Sequence, residues 1–299
     1  MPTDSVAVPV HRTIPVLRMR PGDHAYADYD DDEARWEVLL TFIHEGLARG
    51  EKVTVMADPA VPAEDVHERV HVHHGSAGAA FGRGQLSYTT MRDLISPDAR
   101  FTAARQMGRL REETETARRQ GFTGFRTVID MAWVEDLGMD IEGVMHRETH
   151  AHDLFADRRY AEICTYDRRR FDPDVLDAMR HGHPVALLSR LGALRIEHAD
   201  GGLRLIGDAD VATRPQLLAE LPAALDLAAA TGSGHVPVDL TGLSFLGSDC
   251  AMSLLHAARQ LPAGGPRMEI RCLPFHARVL GMLGARSVEQ VTVTKVADA

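Results

Sequence analysis

The chain has 299 residues, 44% of them hydrophobic and 25% charged, enough for two cores of ordinary soluble composition. A formal net charge of −10 leaves no basic face for nucleic acid, so partners are expected to be proteins or small molecules. Cys164, Cys250 and Cys272 form no C-x-x-C pair, which fits a reducing cytoplasm and excludes an all-thiolate zinc site. No run approaches about 18 apolar residues, and the opening MPTDSVAVPVHR is too poor in apolar residues for a signal peptide; neither a membrane span nor a leader is expected.

Residues 1–19 read as a loose, flexible N-terminus. A short strand over 24–29 runs into DDDEARWEVLLTFIHEGLARG, where the acidic cluster from Asp30 to Glu33 suits a helix start. Trp36, Leu39, Leu40, Ile43 and Leu47 make its apolar face, and Gly50 supplies the stop. A buried strand over 52–57, a weaker helix over 63–70 and a glycine-rich loop over 71–84 follow. A strand over 85–88 comes next, and Ser96-Pro97 opens a long helix with Phe101, Ala104, Met107, Leu110 and Ala117 on one face. A strand over 122–131 is followed by one helical face carrying Ile141, Val144, Met145, Glu148, His152 and Phe155. A strand over 160–166, a helix over 173–180 and a strand over 185–188 complete the alternation. Strands alternating with helices imply a mostly parallel sheet covered on both faces.

The order suggests a RecA-like α/β domain, in which the first strand should lead into G-x-x-x-x-G-K-[ST]. Tyr29-Asp30-Asp31-Asp32-Glu33 stands there instead. Four carboxylates repel a triphosphate that such a loop would cradle with N–H groups and a lysine, so ATP hydrolysis is not expected at this position.

Several separated segments, HAYADYDDDEARWEVLLTFIHEGLARGEKVTVMA, GRGQL, ARRQGFTGFRTVIDMAW, RYAEICTYDRRRF and HGHP, fall in an order that resembles the MEDS sensory domain over residues 20–190. The resemblance implies a RecA-related module without the nucleotide loop, sensing small organic compounds and coupled to a signalling output. The family's Gly-Glu-Met-x-Trp corresponds to Ile129-Asp130-Met131-Ala132-Trp133, its Tyr-Glu to Arg147-Glu148, and its Cys-x-Tyr-Asp-Arg to Cys164 through Arg168. From the residues themselves, Asp130 and Trp133 end one strand and Tyr166, Asp167 and Arg168 another, and ligands of open α/β sheets bind outside such ends. Glu148 falls on an apolar helix face, where an unpaired carboxylate costs several kcal/mol; Arg168 or Arg126 is its expected partner. A structural ion pair closing the end of the sheet stands beside a ligand pocket as the reading of these six residues.

A second domain is expected over 192–297. The runs 194–197 and 203–206 flank Ala199-Asp200-Gly201-Gly202, a hairpin signal. Thr213-Arg214-Pro215 opens a helix with Leu217, Leu218, Leu221 and Leu225, which Pro222 interrupts. Then come a strand at Val238, a helix with Ala251, Leu254, Leu255 and Ala258 on one face, a strand over 268–272 and a helix over 275–283. Ser248 stands where an N-cap belongs, with Asp249 in the first turn.

VDLTGLSFLGSDCAM resembles the serine loop of the STAS domain of anti-sigma-factor antagonists: Val238, Asp239, Leu240, Leu243 and Phe245 match its strand, and Ser248 falls on its phosphorylated serine. Gly247 replaces the family's aspartate, Asp249 follows the serine and Cys250 replaces a glycine. The resemblance implies an anti-sigma factor or a serine kinase of that type as partner, gripping the loop at Gly247, Ser248 and Asp249. A phosphate there would bring close to two negative charges to a helix mouth that tolerates them and a docked partner that does not.

Sixteen histidines make chance clusters inevitable. His71, His73 and His74 share a glycine-rich loop, where a metal is the less favoured reading. His146 and His150 are four apart, but Glu148 is turned about 200° from His146, so this is not H-E-x-x-H. No G-x-S-x-G occurs, and no cofactor or enzyme activity is expected. The expectation is a cytoplasmic regulator in which a ligand-sensing domain biases partner exchange by a STAS module. A degenerate RecA-like nucleotide-binding enzyme and a scaffold without ligand are the alternatives.

Overall fold

The computed structural model describes residues 11–72, 77–95, 101–139 and 141–297. The chain divides into two compact units, Met1–Leu191 and Gly192–Ala299.

In chain order the first unit comprises β1 (Arg12–Ile14), β2 (His24–Tyr29), α1 (Asp32–Ala48), β3 (Lys52–Met56), α2 (Ala63–Val72), α3 (Ala77–Gly82), β4 (Leu86–Thr89) and α4 (Met91–Leu94). It continues with α5 (Ala103–Arg119), β5 (Phe125–Asp130), α6 (Trp133–Asp136), α7 (Ile141–His150), α8 (His152–Phe155), β6 (Tyr160–Asp167), α9 (Pro173–Gly182) and β7 (Val185–Leu187). The seven strands form one sheet in the order β1-β7-β2-β6-β5-β3-β4, and every pairing is parallel. This is the RecA-like α/β layering: β2, which would lead into a phosphate loop, lies mid-sheet between β7 and β6.

Alternation along the strands splits the core in two. Ala25, Val53, Val55, Val128, Ala161 and Ile163 face α1, α2 and α3. Tyr26, Met56, Phe125, Ile129, Cys164 and Tyr166 face the layer of α5, α7, α8 and α9. Gly46 of α1 fits this packing because a Cβ there would sit 2.7 Å from Arg126 Cδ.

Several expectations change. The segment 11–19 is structured: Arg12–Ile14 adds an edge strand beside β7, and Val16 and Met19 are buried. Within the glycine-rich stretch, α3 forms because Ala77 and Ala80 bury against the sheet; His73 and His74 lie outside the described residues, as do Ser96 and Pro97. The long helix starts at Ala103, with the Thr102 hydroxyl accepting from Arg105 N–H at 3.2 Å, so Phe101 precedes it. The single helical face over 141–155 is two helices, α7 and α8, divided at Ala151.

The second unit comprises β8 (Leu194–Ala199), β9 (Gly202–Ala209), α10 (Arg214–Thr231), β10 (His235–Leu246), α11 (Ser248–Arg259), β11 (Arg267–Cys272), α12 (Pro274–Met282) and β12 (Val291–Lys295). Its sheet runs β12-β11-β10-β9-β8, parallel except for the β8–β9 hairpin. Asp200 and Gly201 both have positive φ, the backbone a two-residue hairpin turn requires. In β11, Met268, Ile270 and Cys272 are buried while Arg267, Glu269 and Arg271 are exposed, so one sheet face carries the helices and the other meets water. Pro222 lies inside α10 without ending it.

Candidate functional site

Glu148 is the entry to the first unit's site, and its partner is neither Arg168 nor Arg126. Arg126 pairs with Glu51 and Arg168 with Asp30 at 2.7 Å. The adjacent Arg147 takes the role, its Nη1 donating to Glu148 Oε2 at 2.9 Å. A helix turns consecutive residues about 100° apart, yet both side chains are 1% exposed, so α7 must be sunk between the sheet and its neighbouring helices.

Every second residue of β6 reaches this layer: Tyr160, Glu162, Cys164 and Tyr166, all fully buried. Glu162 accepts from Arg147 Nη2 at 2.6 Å and from the Tyr160 hydroxyl, which Thr127 Oγ1 meets at 2.5 Å. Gln106 of α5 accepts from Arg147 Nε at 3.0 Å. From β2, His24 Nε2 approaches Glu148 Oε2 at 3.0 Å and Glu162 Oε1 at 3.2 Å. Cys164 Sγ donates to Glu162 Oε1 at 3.1 Å and lies 3.7 Å from His24 Nε2. His183, just after α9, tilts against His24 with ring centres 4.1 Å apart.

Charge in this pocket balances internally. Burial alone would neutralise the carboxyls, but Arg147 and the His24 cation hold Glu148 down at about 2 and Glu162 lower still. Burial works against His24 as a cation, and hydrogen bonds to both carboxylates overcome it, raising its pKa. His24 Nε2 therefore donates to the carboxylates, and its 3.2 Å approach to Arg147 Nη1 sets two cations side by side. Two carboxylates face two cations. Burial, reinforced by the charge of His24, brings His183 down to about 3, so its ring is neutral. Burial lifts Cys164 well above the ordinary thiol value and keeps its proton on.

His183 Nδ1 donates to Met179 O at 2.7 Å, which fixes the tautomer and leaves Nε2 as a lone pair. That lone pair is buried, makes no hydrogen bond, and faces Glu148 Oε2 at 3.3 Å. An acceptor opposite an acceptor is an unsatisfied contact.

The six residues singled out from the sequence separate into two places. Glu148 and Tyr166 belong to the buried layer. Asp130 is paired with Arg35 and accepts from Tyr29 at 3.4 Å; burial raises its pKa, with Arg35 opposing. Asp167 and Asp32 share Arg169 at 2.8 and 3.0 Å, and Arg168 takes Asp30. Ion pairs thus knit the C-terminal ends of β2 and β6. Asp31 caps α1 by accepting from Glu33 and Ala34 N–H groups at 3.0 and 3.1 Å, where a phosphate loop would offer such groups to an anion. Trp133 packs on Phe101 at 4.6 Å, and its indole N–H, like the Tyr166 hydroxyl, is buried without a hydrogen-bond partner.

Spacing marks none of His24, Glu162 and His183, and Arg147 stands out only as the residue in the family's Tyr position. The available signal was the stripe Tyr160, Glu162, Cys164, Tyr166, which sets a glutamate and a thiol on one face of a fully buried strand. His146 is exposed while Glu148 is buried, as the helical rotation between them requires; the His150 side chain lies outside the described residues.

In the second unit, Ser248 is the first residue of α11 rather than its cap. Gly247 caps with extended dihedrals, φ −71° and ψ 152°, because its N–H remains tied to Ala209 O at 2.8 Å and prolongs the sheet by one residue. Ser248 and Asp249 are exposed. Beside them Phe245 and Met252 are 49% and 41% exposed, and a groove of about 550 Å3 runs between α10 and α11, lined by Leu218, Leu225 and Met252 among others.

Among the described residues no helix is long and apolar enough to cross a membrane. None of the curated proteins matches the sequence. Among solved structures, the flagellar accessory protein FlaH from Methanocaldococcus jannaschii aligns with a TM-score of 0.39 and 12% identity, over 63% of this chain and 80% of that one. At that distance it says nothing of function. The family model described as MEDS, MEthanogen/methylotroph, DcmR Sensory domain, matches residues 23–184. That span is more than half of the chain and contains β2 through α9 with the whole buried cluster, and by it the protein belongs to the MEDS family.

Proposed function

We propose that this protein is a signalling regulator whose first unit receives a small organic ligand and whose second unit, a STAS-type module, exchanges protein partners. Membership of a sensory-domain family supports the first half. The second rests on Ser248: an exposed hydroxyl on the first residue of a twelve-residue helix, beside exposed Phe245 and Met252. The partner is an anti-sigma factor or a serine kinase of that type. The surface would bind it through apolar contacts, and a phosphate on Ser248 would release it by placing a desolvated dianion in the interface. Trp133 and Tyr166, with buried donors that lack partners, are the ligand contacts we favour in the first unit. Hydrolysis of a nucleotide is not part of this reading, because Asp31 occupies the α1 N–H groups and carboxylates ring the position.

The test mixes purified protein with candidate anti-sigma factors and compares Ser248→Ala with Ser248→Glu. The alanine variant should bind as the parent does and the glutamate variant at least tenfold more weakly. Equal binding by both removes Ser248 as the switch.

A further inference from the structure

The lone pair of His183 Nε2 belongs to a group of four. His24 Nε2, Glu148 Oε, Cys164 Sγ and His183 Nε2 all lie within 4.8 Å of one another, and all four residues are buried. Zinc-type ions bind His nitrogen and carboxylate oxygen at about 2.0–2.2 Å and thiolate sulfur at about 2.3 Å, so tetrahedral ligands stand roughly 3.3–3.8 Å apart. The separations here are 3.0 Å for His24 to Glu148, 3.3 Å for His183 to Glu148 and 3.7 Å for His24 to Cys164.

We propose that His24, Glu148, Cys164 and His183 form a buried site for one divalent transition-metal ion of intermediate softness, of the zinc or cobalt(II) type. The donor set of two imidazoles, one thiolate and one carboxylate suits such ions and not magnesium or calcium, which take oxygen. Two features are those of a built site. His183 is oriented by its Nδ1–H bond to Met179 O, the outer contact that aims a metal-binding imidazole. Its Nε2 then faces the Glu148 carboxylate acceptor to acceptor, a contact that a cation between them turns from unfavourable to favourable.

Arg147 is the competitor. Its Nη1 now supplies the positive charge against Glu148, whereas Nη2 and Nε are held by Glu162 and Gln106. Loading exchanges one cation for another at Glu148 and leaves the guanidinium on Glu162. The Cys164 thiol and the His24 imidazolium each release one proton to solvent as the ion enters, so that the divalent charge is matched and His24 binds through the freed Nε2 of a neutral ring. The site stands apart from the partner-exchange reading of Ser248, and neither depends on the other.

The experiment uses the full chain stripped with a chelator and titrated with cobalt(II), then zinc(II). One equivalent of cobalt should bind, with the visible bands of a four-coordinate ion and a thiolate charge-transfer band, both removed by one equivalent of zinc. Cys164→Ser should abolish the charge-transfer band, and a Cys250→Ser/Cys272→Ser variant should keep it. His183→Gln should weaken binding by at least about 100-fold. X-ray absorption on the cobalt-loaded parent reads the ligands without any substitution: one sulfur and three lighter atoms are expected. A folded parent that binds no stoichiometric cobalt, a band that survives Cys164→Ser, or a metal with no sulfur neighbour overturns the proposal.

Discussion

Replacing Arg147 with methionine should destabilise the first unit far more than loss of an ordinary surface charge. Methionine keeps much of the arginine's length, so the change is mainly electrostatic: Glu148 loses a 2.9 Å partner and Glu162 one at 2.6 Å, both fully buried. Removing one partner from a buried ion pair costs about 3–5 kcal/mol, because the remaining charge stays out of water. For a unit the size of Met1–Leu191, each kcal/mol moves Tm by about 2–4 °C, so the expected fall is about 6–20 °C. Both tryptophans, Trp36 and Trp133, lie in this unit, and their fluorescence follows its melting alone. The loss should shrink below about pH 5, where protonation of a carboxyl relieves the unpaired charge, and the double variant Arg147→Met/Glu162→Gln should recover part of it. A fall under about 3 °C at pH 7, or no recovery in the double variant, would show that the guanidinium does not hold the two carboxylates in place.

Four further outcomes are expected. In chelator-treated protein, His183 stays neutral when folded down to about 3 but takes a proton near 6.5 when unfolded. Its depressed value therefore erodes stability as pH falls from about 6.5 towards 3, by about 2 kcal/mol at pH 5, and His183→Gln should flatten that limb of a Tm-against-pH curve. Glu148 acts on a lower window: its stabilisation is complete above about 4.5 and fades as pH falls towards about 2, so Glu148→Gln should shrink the acid-induced step in that range seen by tryptophan fluorescence, the remainder belonging to Glu162. Gly46→Ala places a Cβ 2.7 Å from Arg126 Cδ and should cost about 1–3 kcal/mol in urea melts. Gly202→Ala drives a Cβ to 1.9 Å from Pro237 O; it should open the β9–β10 pairing, so that Cys250 and Cys272 react with a thiol reagent while Cys164 stays protected.

The layering of the first unit was legible because a central parallel strand such as β3 is buried on both faces and reads as an unbroken apolar or β-branched run, VTVM. Short edge strands were not. β1 is three residues long, and β12 is the modest alternation VTVTK at a sheet edge; neither carries enough pattern to stand out locally. The cluster was legible only in part. Glu148 stands out as a carboxylate on an apolar face, but the helical pattern points to a distant partner, whereas the actual one, Arg147, is one residue away. His24 and Cys164 are 140 residues apart and meet because β2 and β6 pair, a fact of strand order that spacing cannot supply. At Ser248 the local signal was right to within one residue; the long-range bond from Gly247 to Ala209 moved the helix start.

The neighbouring positions of β1 and β7 bear on how the sensory unit can be cut from the chain. A fragment trimmed to the family match, residues 23–184, would discard both strands and bare the backbone of β2 along the side that β7 covers. A fragment from residue 20 to 190 would keep β7 but strip its partner, leaving Val185–Leu187 as an unpaired border that can recruit strands from other copies. The independent folding unit therefore has to begin before Arg12, and isolated pieces that start later should self-associate.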